Sequence, residues 1–174
     1  CSQHLLTIIN KESDEINTLN NLVAIGLTNK GDYLNALVYA EKALKYAKKI
    51  GDDHLVYQTY STIGMINRHL GNLKESLVIY EKAIDVVEGS EPKYISALQV
   101  YLNLGTLLEQ LGERKHIIRA KELYEYAFEE LEFFLENNEH EKRYLHLLIS
   151  SDFPASFCAE QYLPMGKGIR RNTG

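Results

Sequence analysis

The stretch Leu70-Gly71-Asn72-Leu73-Lys74-Glu75-Ser76-Leu77, continued by Ile79-Tyr80-Glu81-Lys82-Ala83-Ile84, occurs more than once in this chain. Forty residues earlier stands Lys30-Gly31-Asp32-Tyr33-Leu34-Asn35-Ala36-Leu37, continued by Tyr39-Ala40-Glu41-Lys42-Ala43-Leu44. A third copy opens at Leu111-Gly112-Glu113, 41 residues after the second, reaches its small residue at Ala120 and runs on as Leu123-Tyr124-Glu125-Tyr126-Ala127-Phe128. That copy carries about three extra residues after its glycine, with Arg114, Lys115 and His116 as candidates, which predicts a longer turn there.

Each glycine follows a helical pattern of its own. The patterns are Asn20-Asn21-Leu22-Val23-Ala24-Ile25-Gly26-Leu27, Tyr60-Ser61-Thr62-Ile63-Gly64-Met65-Ile66 and Tyr101-Leu102-Asn103-Leu104-Gly105-Thr106-Leu107-Leu108. The unit is therefore a helix, a tight glycine turn and a second helix. Gly31, Gly71 and Gly112 stand where a left-handed residue releases the chain from a helix. Asp32 and Asn72 follow at an N-cap position. Ala24 or Gly64 on the first helix, and Ala36, Ser76 or Ala120 on the second, are small because two backbones must approach there. Ala43, Ala83 and Ala127 leave room for the next unit's first helix. One such pair cannot bury its apolar face alone, so units must stack into a superhelix.

Composition agrees with an all-α fold. Lys, Glu, Leu, Ala and Tyr are abundant, with 3 prolines and no tryptophan in 174 residues. That length suits one domain. A net charge of -5 and the lack of a basic stripe argue against nucleic acid. No apolar run approaches the roughly 20 residues that span a bilayer. Cys1 and Cys158 lie too far apart in sequence to suggest a disulfide framework or metal-ligand spacing, so a reducing, cytoplasmic setting is expected. A chain beginning Cys1-Ser2 reads as a truncated piece or a processed product. The alternative is a lipid-anchored mature lipoprotein terminus at Cys1.

The recurring order of small and large positions over about residues 17–136 resembles the tetratricopeptide repeat family, in a lengthened form: the spacing here is 40 and 41 residues, against a commonest period of about 34. The surplus falls in longer second helices, ending at Lys49-Ile50-Gly51-Asp52-Asp53 and Val87-Glu88-Gly89-Ser90-Glu91. Copy one has Asn20 where the others have Tyr60 and Tyr101. The resemblance implies a right-handed superhelix of stacked antiparallel helix pairs, a tetratricopeptide-like α-solenoid. Three pairs are expected at about 17–52, 53–89 and 90–136. Residues 1–16 read as the end of a preceding helix or an N-terminal cap, with Ser13 capping the helix that follows. Residues 137–150 read as a capping helix and 151–174 as an irregular tail holding Pro154, Pro164, Gly166 and Gly168.

No enzyme is legible. Gly166-Lys167-Gly168 lacks phosphate-loop spacing. His140 and His146 do not share a helix face as an i, i+4 pair would, and no metal site is expected. Cys158 has no sequence-local base. Glu129, Glu130 and Glu132 read as a solvated helix face, and Tyr33, Tyr60, Tyr80, Tyr101 and Tyr124 as core. No cofactor is expected.

In proteins of this resemblance, the first helices line a concave groove. Register from Ala24, Gly64 and Gly105 places Asn21 and Ile25, then Gln58, Ser61, Thr62 and Met65, then Gln99, Leu102, Asn103 and Thr106 on that face. The family's clamp for acidic C-terminal peptides needs Lys or Arg there, and this set has none. The expected partner is instead a protein or peptide held by amide, hydroxyl and apolar groups. An alternative is the peptide-sensing or input segment of a larger bacterial regulator, of the transcription-regulator or histidine-kinase type. A homo-oligomer is left open.

Overall fold

The computed structural model describes residues 17–90 and 95–136. Helix α1 covers 17–29 of these; α2 (Tyr33–Ile50), α3 (Asp53–His69), α4 (Leu73–Gly89), α5 (Leu98–Leu111) and α6 (Arg114–Glu136) follow, with a 3-10 turn at Ile95–Ala97 leading into α5. No strand occurs among the described residues. The expectations for residues 1–16, for the Ser13 cap, for a helix at 137–150 and for the tail at 151–174 lie outside them.

The helices pair as α3 with α4 and α5 with α6, and Asn17 of α1 is hydrogen-bonded to Ala43 of α2. Each second helix also packs on the next first helix, α2 against α3 and α4 against α5, while α3 touches α5 directly. First helices therefore line one side of the array and second helices the other.

Glycine makes the turns. Gly31, Gly71 and Gly112 have φ of 80°, 80° and 72°, the left-handed region where a side chain is strained. In the first two turns the next amide reaches back five residues, Asp32 N to Leu27 O and Asn72 N to Asn67 O, both 2.9 Å, capping carbonyls that the helix leaves open. Asp32 caps α2 through its Oδ1, which accepts from Asn35 N at 3.4 Å, and Asp52 caps α3 by accepting from Leu55 N at 3.2 Å. Asn72 stands at the N-cap of α4 without capping it: its Nδ2 donates instead to Asn67 Oδ1. The third turn is not lengthened. Helix α6 begins at Arg114 immediately after Gly112-Glu113, and the extra residues form a turn of helix because His116 N and Ile117 N both donate to Glu113 O.

Within a unit, one contact sets how closely the helices lie. A Cβ added at Gly64 would stand 2.8 Å from the Cε1 and Cζ of Tyr80, and one added at Gly105 would stand 2.7 Å from Tyr124 Cζ. The first-helix glycine is thus small because a tyrosine ring from the second helix lies on it, rather than because two bare backbones meet. Copy one has Ala24 and Ala40 at the matching positions, both fully buried. Ser76, also fully buried, adds a bond of 2.7 Å from its Oγ to Gly64 O. Ala36 and Ala120 hold the corresponding buried places in the other units, and Ala43, Ala83 and Ala127 are fully buried as well.

Tyr60, Tyr80, Tyr101 and Tyr124 are core residues, joined by Tyr57; Tyr33 is half-buried and stacks on His69 with ring centroids 5.2 Å apart. On the outer side, Arg119 of α6 grips Glu81 of α4 through both carboxylate oxygens, Nη2 to Oε2 being 2.8 Å. Burial holds the hydroxyls of Tyr80, Tyr101 and Tyr124 well above the ordinary tyrosine range; Tyr126 pushes Tyr101 the same way, whereas Arg68 opposes the shift at Tyr80.

Two outcomes follow from this packing. Gly105→Ala should destabilise the chain by about 1–3 kcal/mol through overpacking, read by thermal unfolding, and the loss should shrink in a Tyr124→Ala background; equal losses in both backgrounds would refute the contact. Second, a tyrosine whose folded pKa is raised contributes stability that is intact below its unfolded value of about 10 and declines as pH climbs beyond it. The urea midpoint should therefore fall above about pH 10, and Tyr80→Phe should lessen that fall. Because the buried Tyr80 hydroxyl has no hydrogen-bond partner among the described residues, the same variant should cost little at pH 7.

Candidate functional site

The three first helices do not simply line up; they enclose space. A cavity of about 580 Å³ opens on their shared side, a size in the range that holds small ligands and short peptide segments. Helix α1 lines it with the adjacent pair Asn17 and Thr18, then Asn21 and Leu22, then Ile25, successive steps of about one helical turn along one stripe. Helix α3 brings Leu55, Gln58, Ser61, Thr62 and Met65 by the same spacing. Ser96 from the 3-10 turn and Gln99, Val100 and Asn103 from α5 complete the wall.

Eight of the residues assigned by register line this cavity: Asn21, Ile25, Gln58, Ser61, Thr62, Met65, Gln99 and Asn103. Leu102 and Thr106 do not. Leu102 is 5% exposed and belongs to the apolar core, being turned about 100° from Asn103 around the helix. Thr106 Oγ1 donates to Leu102 O at 2.9 Å, a bond back to its own helix. The register reading also stopped one turn short. Asn17, Thr18 and Leu55 continue the same stripes toward the helix N-termini, a further step of three or four residues from Asn21 and Gln58, while Leu22 and Val100 flank the stripes next to Asn21 and Gln99. Ser96 was not legible in this way because it precedes α5, in a turn that has no helical period.

Hydrogen bonds tie the polar side chains into a fixed wall. Asn103 Nδ2 donates to Ser61 Oγ at 3.0 Å, joining α5 to α3 across the groove floor, while Asn103 Oδ1 faces Gln99 Nε2 at 3.5 Å. Thr62 Oγ1 donates to Gln58 O. At the N-terminal end, Gln58 Nε2 lies 3.0 Å from His54 Nε2, and Ser96 Oγ lies 3.1 Å from that nitrogen and 3.0 Å from Tyr57 OH. Asn17 Nδ2 is turned to Ala43 O at 2.6 Å, tying α1 to α2. Asn21 Oδ1 is enclosed without a hydrogen-bond partner among the described residues.

The wall has a direction. Its N-terminal end gathers the amides and hydroxyls of Asn17, Thr18, Gln58, Ser96 and Gln99 beside Leu55 and Val100; its C-terminal end is Ile25 and Met65, with Leu22, 60% exposed, toward them. Among the described residues no Asp, Glu, Lys or Arg lines it. Among the described residues, no group of three or more His, Cys, Asp or Glu is placed to hold a metal ion, and no helix is long and apolar enough to cross a membrane. The site's parts, then, are hydrogen-bonding groups and apolar contacts on a rigid concave face, which suit holding a ligand.

An array of glycine-turned helix pairs with a concave face defines a helical-repeat protein. Residues 55–123, from α3 into α6, match the tetratricopeptide repeat family model, and this segment is of the tetratricopeptide repeat kind. Such repeats are in general protein-interaction modules rather than catalysts. No curated protein matches the chain.

Leu102 and Gln99 separate core from groove in one comparison. Leu102→Ala should cost about 2–5 kcal/mol in unfolding free energy, as a buried truncation does. Gln99→Ala, at an exposed position, should leave the denaturation midpoint within about 0.5 kcal/mol of wild type.

Proposed function

We propose that this chain is an interaction module whose concave groove holds a peptide segment of a partner protein. The observation that carries the reading is the wall itself. Eight register-assigned residues from three helices converge on one cavity of about 580 Å³, and their polar groups are pre-positioned by bonds such as Asn103 to Ser61. Pre-positioned amides suit a peptide because its backbone carries one donor and one acceptor per residue that must be satisfied on leaving water. A fixed wall also limits the ordering cost of binding. Ile25 and Met65 supply apolar contact beside the amides.

In the alternative, the same groove is the receiving end of a larger regulator. It would then respond to a bound peptide by changing shape or oligomeric state, whereas a scaffold would bind without much change.

Selection from a displayed random-peptide library tests the groove directly. Peptides recovered on the wild-type chain should bind the Asn103→Arg, Met65→Arg double variant at least about tenfold more weakly, a loss of roughly 1.4 kcal/mol, with circular dichroism showing that the variant, although it loses the Asn103–Ser61 bond, keeps its helical content. Undiminished binding by the double variant would move the site off this face.

A further inference from the structure

The composition of the groove wall specifies more than that a peptide fits. We infer that the segment it takes is uncharged along its buried length and asymmetric, with amide or hydroxyl side chains toward the His54 and Ser96 end and an aliphatic side chain toward Ile25 and Met65. The inference rests on the groove being the binding site, as proposed above.

Charge is the first argument. Among the described residues no ionised side chain lines the cavity, so a carboxylate or ammonium seated against them would shed water without gaining a counter-charge. Leaving an ion in that state is far more costly than leaving a neutral amide. Neutral groups lose much less, because the wall offers them partners.

The second argument is what those partners are. Gln58 Nε2, Gln99 Nε2, Asn103 Nδ2 and Asn17 Nδ2 each already face a group within the protein. The Asn21 carbonyl oxygen, by contrast, is enclosed with no donor facing it. The wall thus favours a ligand that brings hydrogen-bond donors, and the N–H groups of an extended backbone, with Ser, Thr, Asn or Gln side chains, bring them without charge.

Direction comes from the helices. α1, α3 and α5 run the same way, so their N-terminal ends gather the polar Asn17, Gln58, Ser96 and Gln99 around Leu55 and Val100, while one to two turns on they present Ile25 and Met65. An aliphatic residue at the first end would strip water from amides without replacing their bonds. At the second end it buries apolar surface against apolar surface.

The experiment uses the full 174-residue chain and three fluorescein-labelled octapeptide pools, with chain termini acetylated or amidated to remove their charge. One pool is rich in Asp and Glu, one in Lys and Arg, and one combines Ser, Thr, Asn and Gln with Leu, Ile, Val and Met. Anisotropy should show the uncharged pool binding at least about tenfold more tightly than either charged pool. Its affinity should change less than about twofold between low and high salt, because screening acts on charges. Gln99→Arg, at an exposed position where folding is not at stake, should weaken the uncharged pool and leave the thermal midpoint unchanged. Preference for a charged pool, or a steep salt dependence, would overturn the inference while leaving the groove as the site, provided Gln99→Arg still alters binding. Binding by no pool, or binding indifferent to both Gln99→Arg and the Asn103→Arg, Met65→Arg pair, would overturn the groove reading and the inference with it.

Discussion

The seating of a tyrosine ring on a glycine is the contact from which the rest of this structure follows. Tyr80 lies on Gly64 and Tyr124 on Gly105, each at a distance that leaves no room for a Cβ. An aromatic ring with one flat face against a helix backbone fixes the separation and the rotation of the two helices together. It also buries a large apolar surface at low conformational cost, since few side-chain torsions must be frozen. With the pairs fixed, α2 packs on α3 and α4 on α5, and the buried small residues Ala43 and Ala83 keep those second helices slim. The first helices are then obliged to share a side. The groove is a consequence of how pairs lock, and among its lining residues Asn17, Val100 and the Asn103–Ser61 pair also help to join its helices.

That division explains what the sequence did and did not disclose. The glycines at 31, 71 and 112 were legible because a left-handed backbone position admits few other residues, so the amino acid and the conformation are nearly the same statement. The alanines and Ser76 were legible because they recur at one register. The tyrosine–glycine partnership was half legible. Both residues stood out as repeated, yet their contact lies 16 to 19 residues apart in sequence, and no local pattern names the partner. Copy one carries alanine at both positions, Ala24 and Ala40, so the small-for-large exchange becomes readable once the pairing is known.

The third turn shows the opposite case. Three additional residues in a repeat admit two geometries, a longer loop or a longer helix, and counting does not choose between them. Arg114, Lys115 and His116 are all acceptable in a helix, and Glu113 O is positioned to receive the first helical amides. The helix option satisfies backbone groups that a longer loop would leave to solvent. In the groove, single-stripe register found the residues that point inward at mid-helix. It placed Leu102 wrongly because one residue's step around a helix crosses from groove to core, and it had no means of reaching Ser96, which no helix carries.

The central claim is that the concave wall is the working face, and methionine offers a direct view of it. The chain has 2 methionines. Met65 lines the groove, and Met165 lies outside the described residues, so a sample labelled with carbon-13 at methionine methyls gives two assignable signals. Titration with a peptide selected on the wild-type chain should shift the Met65 methyl resonance in step with the binding isotherm. A peptide that binds to saturation while the Met65 signal stays where it was would contradict the account.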